Sequence, residues 1–260
     1  MTIEACTRAE AALLSALQGI QKRVQGCERA CRLAAIIDGV TPGLMERVKH
    51  SAKSDGGWAN IPETLWCLTY LKRVGNTEEL SAGLKWLGAQ RLAQGGWGES
   101  HRDCPRIPTT ALILHFLGDE IGSEADRECL RRLWAEDLES EVQLTYKGGF
   151  FLLCQAIKDS PDVELIEKTL QFLEVSQNED GGFGPWKNHP IGSDPWSTGI
   201  CLVGLCTHQH FAPRGVVERA ADWLQRSQLS SGLWPYHFID EGSAYALWGL
   251  RMATSTLGCC

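Results

Sequence analysis

The chain has 260 residues and a net charge of −7, with 43% hydrophobic and 22% charged residues. This balance is typical of a soluble globular protein. A negative chain without a basic stripe argues against nucleic acid as a partner. No apolar run approaches the roughly 20 residues that cross a bilayer, and the N-terminus shows no signal-peptide pattern. With 11 cysteines and no secretion signal, we expect reduced thiols and a cytoplasmic location.

A short pattern recurs along the chain: Gln, a few residues, Gly, and then Trp or Phe. Its copies are Gln90–Trp97, Gln177–Phe183 and Gln228–Trp234, and a shorter copy without the Gln begins at Asp55. Glycine permits the positive φ of a tight turn. The Gln can hydrogen-bond the loop backbone or the next helix, and the aromatic side chain can pack between repeats. The pattern therefore predicts a structural reversal between two helices.

A second pattern marks helix starts, where a polar residue precedes Pro or a small residue, then Ser, Thr or Glu, then an apolar run. Copies begin at Asn60, Arg106, Asp194 and Asp240, and a degenerate copy begins at Thr145. Pro in the first turn and a polar cap before it are typical of helix N-termini. The pattern recurs at about 46 residues, which is enough for two helices and a loop.

The two patterns together predict twelve helices in six pairs and no strand. The predicted pairs are 7–24 with 26–37, 43–50 with 61–73, 78–90 with 107–118, 123–137 with 142–157, 160–176 with 194–207, and 214–227 with 241–253. This arrangement predicts an all-α, single-domain (α/α)6 barrel, or toroid, over residues 1–260, with an outer and an inner ring. An open solenoid is the alternative, but its last repeat should be a polar cap, and the last repeat here is apolar.

The Gln-to-aromatic pattern resembles the QW motif of squalene-hopene and oxidosqualene cyclases, and related repeats occur in protein prenyltransferase β subunits. The stretch GGWGESHRDCPRIPTTALIL is similar to one in class II diterpene cyclases. Squalene-hopene cyclases use two such domains, whereas this chain has room for one. The resemblance therefore points to monodomain class II terpene cyclases of the merosterolic acid synthase kind.

Class II cyclases carry an Asp-x-Asp-Asp motif at the start of an inner helix, and its middle Asp donates the proton. That motif is absent here, because the aligned stretch DPWST keeps only its first Asp, as Asp194. The resemblance makes Asp194 the first candidate acid, followed by Asp240 and Glu63 in equivalent places of other repeats. The alternative for all three is a structural role as a helix cap or first-turn acid.

Helical spacing from the inner-helix starts predicts which side chains face the lumen and bind substrate. They are Trp66, His115, Phe151, Cys154, Trp196 and Tyr245. Aromatic faces stabilise a carbocation by about 0.5–2 kcal/mol each, although core packing is the alternative for every one of them. No Asp-rich magnesium motif is evident, and Cys27 and Cys31 lack the second cluster of a zinc site. We therefore expect no cofactor and no metal.

The leading hypothesis is a protonation-initiated cyclase of a prenyl or polyprenyl chain, including chains joined to a polar aromatic head as in meroterpenoid precursors. Its partner would be a lipophilic isoprenoid, with transient membrane contact as a further expectation and the oligomeric state left open. A lyase or isomerase of the linalool dehydratase-isomerase type, using Cys67, Cys154 or Cys201, is one alternative. A non-catalytic isoprenoid-binding protein is another. Protein prenyltransferase activity is disfavoured, because that family's zinc ligands have no clear counterpart in the sequence.

Overall fold

A computed structural model describes residues 2–23, 27–39, 42–155 and 163–258 of the chain. All regular secondary structure in these ranges is helical, which confirms the predicted all-α class with its twelve helices. The helices are α1 (Thr2–Arg23), α2 (Glu28–Ile37), α3 (Pro42–Ser51), α4 (Ile61–Val74), α5 (Thr77–Ala89), α6 (Ile107–Ile121), α7 (Glu124–Leu138), α8 (Thr145–Gln155), α9 (Val163–Ser176), α10 (Pro195–Thr207), α11 (Arg214–Ser227) and α12 (Ile239–Leu257).

The predicted helix ends deviate most at the two ends of the chain. Helix α1 begins at Thr2 rather than at residue 7, and α12 extends to Leu257 rather than to residue 253. Helix α12 stops where Gly258 adopts a left-handed conformation (φ 70°) and its amide donates to the carbonyl of Thr254. The predicted ends at residues 24, 26, 157 and 160 lie outside the described residues. None of the described helices is both long and apolar enough to cross a membrane.

The helices group into two compact units, each described by itself. The C-terminal unit comprises Met1–Leu13 and Trp134–Cys260, and the N-terminal unit comprises Leu14–Leu133. In the C-terminal unit, α10 packs between α8 and α12, with α9 against α8 and α11 against both α10 and α12. In the N-terminal unit, α4 packs against α2, α5 and α6. A single domain over residues 1–260 remains a prediction.

Glycines set the spacing between helices in the C-terminal unit. A Cβ atom added to Gly204 of α10 would lie 2.6 Å from the carbonyl oxygen of Gly149 in α8. One added to Gly249 of α12 would lie 2.7 Å from the carbonyl oxygen of Gly199 in α10. Real Cβ atoms do not approach backbone this closely, so the three helices are in direct backbone contact at these crossings.

The repeated loops have the predicted turn geometry. Each loop contains a glycine whose φ lies between 84° and 92°: Gly56, Gly95, Gly181 and Gly232. A Cβ on any of them would lie 2.5–2.8 Å from a carbonyl oxygen of another helix, namely that of Ala82, Ala125, Arg219 or Arg8. Each loop therefore packs directly against the backbone of a neighbouring helix in its own unit. Only glycine fits both the positive φ and the space at these positions.

The aromatic residue of each loop is held at both its backbone and its side chain. In three loops the indole Nε1 donates to a carbonyl ten residues earlier, as in Trp97 to Leu87 at 2.8 Å and Trp234 to Leu224 at 2.7 Å. The backbone amide of the aromatic donates to a hydroxyl in the following helix at 2.9–3.0 Å in all four loops. Those acceptors are Thr64, Thr110, Thr198 and Ser243. The helix-start Ser or Thr is therefore part of the loop structure.

Two of the loop glutamines make the hydrogen bonds that the sequence predicts. Gln177 donates to the carbonyl of Gly181 in its own loop at 2.8 Å and to Val216 of α11 at 2.9 Å. Gln228 likewise donates to Gly232 in its loop and to Ala5 of α1, both at 2.9 Å. These contacts tie a loop to a neighbouring helix, which is a structural role.

Candidate active site

Asp194 caps the N-terminus of α10 in the C-terminal unit. Its Oδ1 accepts a hydrogen bond from the amide of Ser197 at 2.8 Å, and its own amide donates to the carbonyl of Phe183 at 2.9 Å. The side chain lies in the core, and the residue is only 6% exposed. The cap geometry explains why an Asp stands at this position, while its burial gives the carboxyl an environment that most caps lack.

Burial raises the pKa of the Asp194 carboxyl above its ordinary value. Hydrogen bonds from the amides of Ser197 and Trp196 oppose this shift, as does the nearby His189, but burial is the larger effect. Burial raises the pKa of the nearby Cys201 thiol, and negative charge on Asp194 adds to that increase. Asp194 is therefore a buried carboxyl that holds its proton to a higher pH than an exposed one.

Both side-chain oxygens of Glu63, the third candidate acid, accept hydrogen bonds from backbone amides. Oε1 accepts a short hydrogen bond from the amide of Cys27, and Oε2 accepts one from the amide of Ala59 at 3.2 Å. The Glu63 amide in turn donates to the cap residue Asn60 at 2.8 Å. Glu63 thus ties the residue before the Asn60 cap to the start of α2, in an arrangement related to a capping box. It favours the structural alternative for Glu63 over a proton-donating role.

Asp240, the second candidate acid, is 5% exposed and lies in the first turn of α12. Helix α12 begins at Ile239, so Asp240 is inside the helix and is not its cap residue. Negative charge in a first turn interacts favourably with the helix dipole. The position agrees with the first-turn alternative and leaves a catalytic role for Asp240 as a prediction.

Two of the predicted substrate-binding residues, Trp196 and Tyr245, belong to one aromatic cluster in the C-terminal unit. Their ring centroids are 5.6 Å apart. Tyr146 lies 4.9 Å from Trp196, Phe150 lies 5.8 Å from Trp196, and Trp248 lies 6.1 Å from Tyr245. Tyr146, Trp196 and Trp248 are only half-buried. The cluster therefore offers partly accessible aromatic rings from α8, α10 and α12. Its α10 member, Trp196, follows the cap residue Asp194 by two residues.

The indole nitrogen of Trp196 is buried within this cluster and has no hydrogen-bond partner in the described structure. A buried N–H group without an acceptor costs about 1–3 kcal/mol. A catalytic role, or an ordered water or ion that supplies the acceptor, accounts for such groups in folded proteins. Trp196 can thus offer one hydrogen bond and one aromatic face to a bound molecule.

Phe151 packs against a ring outside this cluster, and its predicted contact with substrate stays a prediction. Its ring stacks on Trp134 of α7, with the ring centroids 6.0 Å apart, and is fully buried. Adjacent residues of a helix point about 100° apart, so Phe150 and Phe151 face different sides of α8. Cys154, four residues after Phe150, lies on the Phe150 side of α8 and is 6% exposed.

In the N-terminal unit, the structure connects Trp66 and His115 through Phe116. The Phe116 ring lies 5.4 Å from that of Trp66 and 4.6 Å from that of His115. Burial lowers the pKa of His115 to about 4, and the charge of Lys72 adds to the shift. His115 is therefore neutral near pH 7, as expected of an imidazole packed among aromatic rings.

Tyr146, Phe150 and Trp248 were not predicted as members of the cluster. The sequence does carry a signal for each of them. Tyr146 and Phe150 are four residues apart on α8, and Trp248 follows Tyr245 by three residues on α12. Both spacings place aromatic side chains on one helix face, and extending the periodicity by one turn would have found them.

No protein-family model and no curated protein matches the sequence. Solved structures, in contrast, match nearly the whole chain. The type II terpene cyclase MstE from Scytonema has a TM-score of 0.77 at 16% identity, covering 98% of both chains. A variant of that cyclase in complex with its substrate, geranylgeranyl dihydroxybenzoate, gives 0.71 at 14% identity, covering 98% of this chain and 99% of that one. A protein from Actinoplanes gives 0.75 at 14% identity, covering 98% and 100%.

Identity at this level shows a shared fold, and one fold can host many reactions. The likeness predicted from the QW-type repeats is nevertheless confirmed in kind, since the similar structures include a type II terpene cyclase. The chain therefore has the fold of the type II terpene cyclase MstE.

Proposed function

We propose that this protein is a protonation-initiated isoprenoid cyclase and that Asp194 is its acid. The observation that carries the proposal is the combination on α10: a buried carboxyl of raised pKa at the helix start, followed two residues later by the half-buried ring of Trp196. The shared fold supports it, because MstE structures hold a geranylgeranyl dihydroxybenzoate substrate and the product merosterolic acid A.

The reaction assigns one step to Asp194. A substrate alkene takes the proton with its π electrons, a C–H bond forms, and the O–H bond of the carboxyl breaks to leave a carboxylate. Because Oδ1 is held by the Ser197 amide, we assign the proton to Oδ2. The amides of Ser197 and Trp196 then stabilise the carboxylate that forms. Solvent returns the proton to Asp194 after product release.

The aromatic cluster serves the second step, in which the carbocation is attacked by the next alkene of the chain. Rings stabilise a cation by about 0.5–2 kcal/mol each without adding to it. Phe150 and Tyr245 form the buried side of the cluster, and Tyr146, Trp196 and Trp248 form its accessible side. The substrate class we propose is a prenyl chain joined to a polar aromatic head, with the unpartnered indole N–H of Trp196 available to an oxygen of that molecule.

The test is incubation of the purified protein with geranyl-, farnesyl- and geranylgeranyl-bearing compounds, free and joined to dihydroxybenzoate, followed by chromatography and mass spectrometry. We expect a product of unchanged mass and altered retention. D194N should abolish it, because Asn preserves the cap of α10 and removes only the acid. D240N, which neutralises another buried carboxyl, is the matched control and should retain the product. Full activity of D194N would contradict the assignment, and substrate recovered intact from the unmodified chain would favour a binding protein.

The pH dependence gives the assignment a second readout. The acid must be protonated to act, so kcat/KM should fall as pH rises through the pKa of Asp194. Because burial raises that pKa, the fall should begin at a higher pH than for an ordinary aspartate. A rate that increases with pH over the same range would instead indicate a group acting as a base.

A further inference from the structure

A cluster of three cysteines lies in the N-terminal unit, where the start of α2 meets the middle of α4. Cys27, Cys31 and Cys67 are buried and free. The sulfur atoms of Cys31 and Cys67 are 3.9 Å apart, with the Cys31 thiol donating to Cys67. Cys27 precedes Cys31 by four residues, about one helical turn, which places both on the side of α2 that faces α4. Interaction with Cys67 is the largest influence on the pKa of the Cys27 thiol. Among the described residues, no group of three or more potential ligands is placed to hold a metal ion.

Cys27 differs from the other two in its surroundings. It is the N-cap residue of the ten-residue helix α2, where amide dipoles favour a negative charge. On one side it receives the hydrogen bond from Cys67, and on the other its sulfur lies 3.2 Å from the hydroxyl of Ser51. Together these hydrogen bonds lower the pKa of Cys27 to about 6, with a smaller contribution from Arg47 and against the opposing effects of burial and Glu63. At neutral pH Cys27 is therefore a thiolate, the form that reacts.

Cys67 is suited to the complementary role. Burial and its two thiol neighbours raise its pKa well above the ordinary value, so that it stays protonated beside the Cys27 thiolate. Cys27 is 1% exposed, and its sulfur lies 3.2 Å from the hydroxyl of Ser51, a residue that is exposed to solvent. Ser51 therefore marks the side from which a small peroxide would approach the Cys27 sulfur.

We propose that Cys27 and Cys67 form an oxidation site in which a hydroperoxide converts the pair to a disulfide. The Cys27 thiolate attacks one peroxide oxygen, an S–O bond forms, the O–O bond breaks, and the departing hydroxide or alkoxide takes up a proton. Cys67 then attacks the sulfur of the resulting sulfenic acid. The S–S bond forms, the S–O bond breaks, and water leaves with the thiol proton. The two thiols lose two electrons and the peroxide gains two. This inference does not depend on the proposed cyclase activity.

The chain offers a direct test, because trypsin separates all the relevant cysteines. Cleavage after Arg29 places Cys27 in peptide 24–29 and Cys31 in peptide 30–32, while Cys67 lies in peptide 54–72. The full-length protein would be treated with hydrogen peroxide at pH 7, alkylated, digested without reductant, and mapped by mass spectrometry over time. We expect the earliest product to be a cross-link between peptides 24–29 and 54–72, which reductant reverses.

Cys104 is the internal comparison, since it is exposed and falls in the separate peptide 103–106. If exposure alone governs oxidation, Cys104 should react before Cys27, and that result would overturn the proposal. A cross-link of peptide 30–32 to peptide 54–72 would also overturn it, because the pair would then be Cys31 and Cys67.

Variants sharpen the assignment of roles. In C67S, peroxide should leave Cys27 as a sulfenic acid that dimedone traps on peptide 24–29. In C31S, the cross-link should form as in the unmodified chain. A dimedone adduct that is absent from C67S, or a cross-link that is lost in C31S, would contradict the roles given to Cys27 and Cys67. The time course on the unmodified chain decides the question even if a variant fails to fold.

Discussion

The two units begin equivalent helices with different chemistry. In the N-terminal unit, α4 is capped by the neutral Asn60, and the nearby carboxylate of Glu63 gives both oxygens to backbone amides. In the C-terminal unit, α10 is capped by the carboxyl of Asp194 itself, and burial raises its pKa. The oxygens of Glu63 are both used by backbone amides of the fold, whereas Asp194 occupies a position that the neutral Asn fills elsewhere.

The parts that the units share are those that build the repeat. The Thr hydroxyl in the first turn accepts from the aromatic of the loop in both, at 3.0 Å for Thr110 and 2.9 Å for Thr198. The differences therefore lie in side chains that the repeat does not need. This contrast separates structural residues from candidates for chemistry more sharply than the repeat pattern alone.

The largest expected effect concerns the glycine crossings, which we find in the C-terminal unit. In G199A the new Cβ would lie 2.4 Å from the backbone of Tyr245, and we expect a loss of about 3 kcal/mol or more in the free energy of unfolding. G88A is the matched change in the N-terminal unit, because no atom lies within 4 Å of the position. It should stabilise by up to about 1 kcal/mol. Urea unfolding of both variants measures the difference, and equal effects would contradict the close packing.

The next effect tests the contrast between the two acids. E63Q places an NH2 group against one of the two amides that now donate to Glu63, from Cys27 and Ala59. It should therefore cost about 1–3 kcal/mol of stability. D194N keeps an oxygen for the Ser197 amide and should change the free energy of unfolding by less than about 1 kcal/mol. If D194N proves the more destabilising of the two, the Asp194 charge is structural and the contrast between the units fails.

The effect that is smallest near neutral pH is a pH dependence that arises in the N-terminal unit. Burial lowers the pKa of His115 to about 4, with a further contribution from Lys72. The unfolded chain therefore binds the proton first as pH falls below the ordinary histidine pKa of about 6.5. Stability from this site is complete above pH 6.5 and should fall by at most about 1.4 kcal/mol per pH unit down to pH 4. H115Q should remove this component from denaturation curves measured across that range, and an unchanged slope would contradict the assignment.

Much of the fold could be predicted from the sequence because two independent signals coincide in each repeat. The loop glycines require a positive φ, and the helix starts require a cap and a first-turn hydroxyl, so the end of one helix and the start of the next are both marked. Helix α8 shows the limit of this approach. Its start in TYKGGFF has neither a cap acid nor a proline, so the sequence does not fix which of Phe150 and Phe151 joins the aromatic cluster.

The candidate site was less predictable, because burial and hydrogen bonding depend on the tertiary structure. Asp194, Asp240 and Glu63 look alike in sequence, yet Glu63 is engaged by the amide of Cys27, 36 residues away. The sequence also suggested no role for Cys27 beyond a weak metal spacing. Its lowered pKa depends on Cys67 of α4 and Ser51 of α3, which only the tertiary structure brings close to Cys27.

The most direct test of the central claim is to run the cyclisation assay in heavy water with the unmodified chain and with D194N. Protonation of an alkene followed by loss of a substrate proton should give a cyclised product that carries one deuterium at a new C–D bond. D194N should give none. A cyclised product without deuterium, or one formed equally well by D194N, would contradict the claim that Asp194 starts the reaction.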